Sequence, residues 1–202
     1  LFLGWGFTWV AVALARTWST IWHHMILQES GSSHPRLRDP RKVLLIGGAG
    51  YIGSALLPKL IDAGYKVRLL DVFLYGREPL GRLVDHPNLE IVEGDFRQVE
   101  KVVSAMRDVG SVIRLGGLVG DPACACDEKL TTEINLVATR VIADVAKGEG
   151  VKRFIFASTC SVYGASDGIL DENSQLNPVS LYARSKIGSE RVLLNARGEG
   201  FA

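Results

Sequence analysis

From residue 43 onward the apolar positions fall into two alternating patterns. Short unbroken aliphatic runs come first, and longer stretches with helical spacing follow them. Val43–Ile46 is such a run, as expected for a strand buried on both faces of a parallel sheet. Ile52–Ala63 has helical periodicity, with Gly64 placed to stop it. Further strands read at Lys66–Leu70 (closed by Asp71), Leu89–Val92, Val112–Leu115 and Arg153–Ala157. Helices read between and after them at Val99–Asp108, Leu130–Lys147 and Leu181–Asn195. Strands separated by helices of this length predict right-handed crossovers and an α/β fold with an open, doubly wound parallel sheet.

The stretch ahead of this body follows neither pattern. Residues 1–30 hold all four tryptophans (Trp5, Trp9, Trp18, Trp22) and only two charged side chains, Arg16 and Glu29. The uncharged part ends at Arg16 and is shorter than the ~20 apolar residues of a membrane helix. No positive charge precedes it, as a signal peptide requires. Three readings stand: a truncated span, an amphipathic surface helix, or sequence foreign to the domain. The last is favoured, with the natural product beginning at Met25. Residues 29–42 are Gly/Ser/Pro-rich and then basic, a linker by composition. Arg36, Arg38, Arg41 and Lys42 read as the solvated flank of the first strand. The domain boundary is therefore expected between residues 42 and 43.

Composition narrows the class. The 202 residues suit one domain, and a hydrophobic fraction of 47% supports a packed core. Lys+Arg 23 against Asp+Glu 22 argues against a nucleic-acid binder, which needs a basic surface. Cys124, Cys126 and Cys160 are too few for a disulfide scaffold, and a reducing, cytoplasmic setting fits. The Cys124/Cys126 pair has no second pair at zinc spacing, so plain thiols are expected and no metal.

The first turn has the chemistry of a dinucleotide site. GGAGYIG places Gly47, Gly50 and Gly53 between the aliphatic strand and the helix. A sharp turn, close approach of backbone to a pyrophosphate and tight strand–helix packing all require glycine there. The helix N-terminus at Tyr51 and Ile52 then turns its free N–H groups toward the phosphates. Asp71 lies 18 residues after Gly53 at a strand end, where a carboxylate accepts both ribose hydroxyls and repels a 2′-phosphate. NAD is preferred over NADP. Asp95, in Gly94-Asp95-Phe96, is placed to meet the adenine amino group.

A second constellation carries reactive groups. Tyr182 and Lys186 form a YxxxK pair on one face of the last helix. A phenol with an ordinary pKa of about 10 is a poor base at neutral pH, and a neighbouring ammonium would lower it. Thr159 ends the strand FIFAST, at the sheet edge where open α/β folds bind ligands.

GGAGYIG, LLD, GDF, STCSVYG from Ser158 to Gly164 and LYARSK together resemble the NAD-dependent epimerase/dehydratase family, the extended short-chain dehydrogenases, over about Val43–Ala202. The resemblance implies a Rossmann domain binding NAD and a smaller C-terminal domain for a nucleotide-sugar. The latter is expected to be missing from these residues, as is the next strand after the YxxxK helix, which would leave Arg153–Ala157 as an unpaired edge strand. It implies that Gly47, Gly50 and Gly53 hold the pyrophosphate, Asp71 the ribose, and that Asp95 and Phe96 flank the adenine. Leu115, Gly116, Gly117 and Lys186 complete the cofactor set. Thr159, Tyr182 and Lys186 match the catalytic Ser/Thr, Tyr and Lys, and Asn135 a family Asn that supports the catalytic strand region.

Departures narrow the reaction. Dehydratases of the family carry Asp-Glu after the catalytic Thr, where this chain has Cys160 and Ser161. Asp71 disfavours the NADP-dependent reductases. The family's HLAA reads Arg114-Leu115-Gly116-Gly117, which puts an arginine close to the cofactor. The expected function is an NAD-dependent nucleotide-sugar epimerase. Alternatives are another NAD(P) enzyme of the family (reductase, decarboxylase or dehydratase) or a non-catalytic dinucleotide-binding module. The expected partner is a nucleotide-sugar, with no nucleic acid and no membrane, and a homodimer is open for the full-length protein.

Overall fold

A computed structural model of the protein describes residues 39–202. The leader and most of the basic linker therefore lie outside the described residues. Strand β1 (Asp39–Ile46) begins four residues before the aliphatic run. Pro40, Arg41 and Lys42, read above as linker, extend it, because Asp39 bridges to Val109 across a register shift. Strands β2 (Lys66–Asp71), β3 (Leu89–Glu93), β4 (Val109–Arg114) and β5 (Arg153–Phe156) complete a five-stranded, wholly parallel sheet in the order β3-β2-β1-β4-β5. The order reverses between β1 and β4, and such a switch point opens a crevice at the carboxyl ends of the strands.

Helices cover both faces. On one face α1 (Tyr51–Asp62) and the 3-10 segment Glu78–Asp85 bury Leu57, Ile61 and Leu80 against Val43, Leu45, Val67 and Leu69. On the other, α2 (Val99–Met106) packs Val102 and Met106 against Leu44, Ile46 and Val112. After β4 come the short α3 (Asp121–Cys126) and α4 (Glu128–Thr132), then a π-helical turn at Glu133–Val137 and α5 (Ala138–Gly148). The last helix, α6 (Leu181–Ala196), starts under a Ser180 cap whose Oγ accepts from Ala183 N–H at 3.1 Å. Gly64, at φ +81°, ends α1 as expected.

The outer edge of β5 is not bare along its whole length. Phe154 N–H donates to Ala202 at 2.8 Å, and Ala202 N–H donates to Lys152 at 3.0 Å. Phe201 is buried beside Phe154 with ring centroids 6.2 Å apart. The expected unpaired edge is thus corrected over Lys152–Phe154, because the last residues fold back to pair with it. No helix among the described residues is long and apolar enough to cross a membrane.

Candidate functional site

At the switch point two glycine turns meet. Gly47 stands at φ +76°, and a Cβ on it would lie 2.3 Å from the backbone of Gly116. A Cβ on Gly116 would meet the Phe96 ring at 2.9 Å, and one on Gly117 would meet Asn135 Oδ1 at 2.8 Å. The turns after β1 and β4 therefore touch backbone to backbone, and side chains of any size would push them apart. Gly53 packs instead against the Gly48 backbone, 2.4 Å from where its Cβ would sit.

These turns floor a cleft of about 570 Å³. It brings together Gly47, Gly50, Tyr51, Ile52, Asp71, Asp95, Phe96, Leu115, Gly116 and Gly117, ten of the expected cofactor residues. Gly53 and Lys186, the other two, do not line it, nor do Thr159 and Tyr182. Helix α1 opens onto the cleft with no capping side chain and no acid in its first turn. Its positive end is thus left for an anion. A backbone cradle without Cβ atoms and an uncapped helix start fit a pyrophosphate.

Two acids hold the rim. Asp71 Oδ2 accepts from Ala49 N–H at 2.9 Å and Oδ1 from Phe73 N–H at 2.8 Å, so the carboxylate ties the glycine turn to the end of β2. Each oxygen keeps a lone pair for a ribose hydroxyl. Asp95 is more fully engaged. Arg97 donates to it from Nε at 2.8 Å, Nη2 at 2.6 Å and its backbone N–H at 2.8 Å. The guanidinium holds the Asp95 carboxyl below its usual range.

Sequence reasoning missed the opposite wall, Val72–Tyr75. Its signal was an apolar run directly after a strand-ending acid, where a turn is normally polar; Leu74 and Tyr75 stand largely exposed.

The second set gathers around α6. The Thr159 side chain lies by the Tyr182 phenol and acts on its ionisation, and Thr159 caps the 3-10 turn Cys160–Tyr163 by accepting from Ser161 N–H at 3.2 Å. One helical turn on, Lys186 is buried and donates to the Ala157 carbonyl at 2.8 Å. Its Nζ stands 4.6 Å from the centroid of Phe156 and 5.8 Å from that of Tyr182. Burial, with the nearby Arg114 charge, pushes Lys186 down to about 8. Burial also raises Tyr182 above its ordinary value, the Thr159 side chain opposing. The expectation of a phenol lowered by its lysine is corrected here: taking the phenol out of water dominates, and the nearby Cys124, Cys160 and Asp121 add to it.

Asn135 joins the two sets. Its Oδ1 accepts from Leu118 N–H at 2.9 Å, and its Nδ2 donates to the Leu118 carbonyl at 3.0 Å and to Ser185 Oγ at 3.2 Å. Its carbonyl, inside the π turn, accepts from Thr139 Oγ1 at 2.5 Å and Ser189 Oγ at 2.6 Å. Its side chain thus holds the loop after β4 and the helix of Tyr182 and Lys186. The cysteines are free thiols: Cys124 is buried and donates to the Leu118 carbonyl at 3.6 Å, while Cys126 and Cys160 are exposed. No group of metal-binding side chains occurs among the described residues.

Arg114 does not enter the cleft. It is 1% exposed and donates through Nη2 to the Ile134 carbonyl at 2.6 Å. Its guanidinium lies 5.2 Å from the Phe96 centroid and 5.7 Å from that of Phe156.

Residues 43–201 match the NAD dependent epimerase/dehydratase family. The chain belongs to that family. It is 31% identical over 160 residues to UDP-glucose 4-epimerase of Rhizobium meliloti (strain 1021), covering 75% of this chain and 45% of the relative. It is also 31% identical over 159 residues to low-salt glycan biosynthesis protein Agl12 of Haloferax volcanii, covering 77% and 51%. Among solved structures it resembles DesIV, a dTDP-glucose 4,6-dehydratase from Streptomyces venezuelae with NAD bound. The TM-score is 0.74 and the identity 31%, over 79% of this chain and 53% of that one. The chain spans about half the length of the curated relatives it matches. The fold of this epimerase/dehydratase relative agrees with the doubly wound sheet expected from the sequence.

Proposed function

We propose that this chain binds NAD in the cleft between the β1 and β4 turns and serves a nucleotide-sugar epimerase. The observation that carries the reading is the meeting of Tyr182, Thr159 and Lys186 at the carboxyl edge of the sheet. The residues after Thr159 favour one of the family's reactions. Cys160 and Ser161 offer no carboxyl pair to remove water from a sugar, so an epimerase fits better than a dehydratase although DesIV is similar in fold.

Gly47, Gly50, Gly116 and the start of α1 would hold the pyrophosphate, and the free lone pairs of Asp71 the adenosine ribose. Bound there, NAD would supply a reversible acceptor for the hydride of a sugar carbon. Tyr182, once it has lost its own proton to solvent beside Lys186, takes the proton of the attached hydroxyl as a phenolate while that carbon becomes a ketone, and gives it back on return. Thr159, beside Tyr182, orients the hydroxyl. Lys186, pinned on Ala157, sets positive charge beside the phenol as it ionises. Presentation of the other ketone face inverts the centre, with no net oxidation.

The test is to incubate the protein with NAD and UDP-glucose and follow the sugar by proton NMR and the cofactor by absorbance. The 4-epimer should appear without reduced cofactor accumulating. A steady build-up of reduced cofactor would replace this reading with a dehydrogenase.

A further inference from the structure

Arg114 is a buried cation that the proposed mechanism does not use. No ion pair among the described residues includes it, and its Nε has no hydrogen-bond partner. It is held by one carbonyl and two aromatic faces, Phe96 and Phe156. The first ring lines the cleft, and the second also carries the Lys186 ammonium. The backbone running on from Arg114 is the Leu115–Gly117 turn that floors the cleft. An unneutralised charge thus stands by the Phe96 ring and shares the Phe156 ring with the Lys186 ammonium, close enough to act on it. Burial draws the guanidinium down to about 10, which leaves it charged at neutral pH.

A fixed charge in such a low-dielectric place acts on any charge that appears or vanishes nearby. The nicotinamide ring is cationic when oxidised and neutral when reduced. We propose that Arg114 determines which oxidation state of the cofactor this site prefers, its charge favouring the reduced, neutral nicotinamide over the oxidised, cationic one. The inference rests on the reading of the cleft as an NAD site. It makes the bound oxidised cofactor a stronger acceptor of hydride from the sugar carbon, and it keeps the reduced cofactor in place until hydride returns.

The test is a pair of calorimetric titrations of the protein, with NAD and with NADH, on the wild type, Arg114→Met and Arg114→Lys. The wild type should bind NADH more tightly than NAD. Arg114→Met should lower that preference by about tenfold, the scale of repulsion between two like charges in a low-dielectric site. Arg114→Lys should keep it. Equal affinities in the wild type would overturn the proposal with no variant needed. So would an unchanged preference in Arg114→Met, or in Arg114→Gln should the methionine variant fail to fold. Binding of neither cofactor would refute the NAD site itself, an outcome distinct from binding without preference.

Discussion

Replacing Asn135 with alanine removes a side chain that ties the cleft wall to the reactive helix. Three hydrogen bonds go: from Leu118 N–H, to the Leu118 carbonyl and to Ser185 Oγ. The bonds that Thr139 and Ser189 donate to the Asn135 carbonyl are backbone-directed and survive. Asn135 is 1% exposed, but Leu118 is only half-buried, so water recovers part of the loss at that residue. Taking the low end of the penalty for an unmade buried bond, about 1 kcal/mol each, the variant loses about 3 kcal/mol. For a protein of this size that is a Tm lower by about 9 °C. Urea unfolding followed by circular dichroism measures it, and the slope against denaturant should not change. Thr132→Ala is the control: its exposed hydroxyl bonds to the Glu128 carbonyl at 2.9 Å, and the expected change is under about 0.5 kcal/mol. If Asn135→Ala were no more costly than Thr132→Ala, the buried network would not be what holds the two sets together.

Tyr182→Phe should leave NAD affinity within about twofold and cut epimerisation by about 100-fold or more, read by calorimetry and by sugar NMR. Gly116→Ala drives a methyl group to 2.9 Å from Phe96 and 3.2 Å from Gly47, and should weaken NAD binding by about tenfold or more in the same titration. Lys186 should leave a pH signature in stability. The unfolded chain keeps that proton to about pH 10.4, but the folded protein keeps it only to about 8. Charged Lys186 therefore opposes folding fully below pH 8, and the cost fades as the pH rises toward 10. Wild type should gain about 1 kcal/mol over Lys186→Met as the pH rises from about 8 to about 9.5, measured by urea unfolding.

Most of the sheet was legible because its strands are aliphatic runs with turn residues at their ends. Where glycine and serine interrupt a strand, as at Gly110 and Ser111 in β4, the run looked shorter than it is. The short helices Asp121–Cys126 and Glu78–Asp85 have no sustained period and were not visible. The glycine turn and the YxxxK pair could be read as motifs, since each needs particular residues at fixed spacing. The facing of Gly47 on Gly116, the engagement of Asp71 by Ala49 and the seat of Arg114 between two rings are long-range contacts, which no local pattern encodes. The balance of burial against charge at Tyr182 depends on the same packing, and there the sequence pointed the wrong way.

The central claim is that the cleft between the two glycine turns is an NAD site whose selectivity rests on Asp71. Calorimetric titration of the protein with NAD and with NADP, repeated on Asp71→Ala, tests it most directly. One NAD should bind per chain, with NADP at least about tenfold weaker because its 2′-phosphate meets the carboxylate. Asp71→Ala should weaken NAD and narrow the gap. Equal binding of the two cofactors by the wild type, or full NAD affinity in Asp71→Ala, would contradict the account.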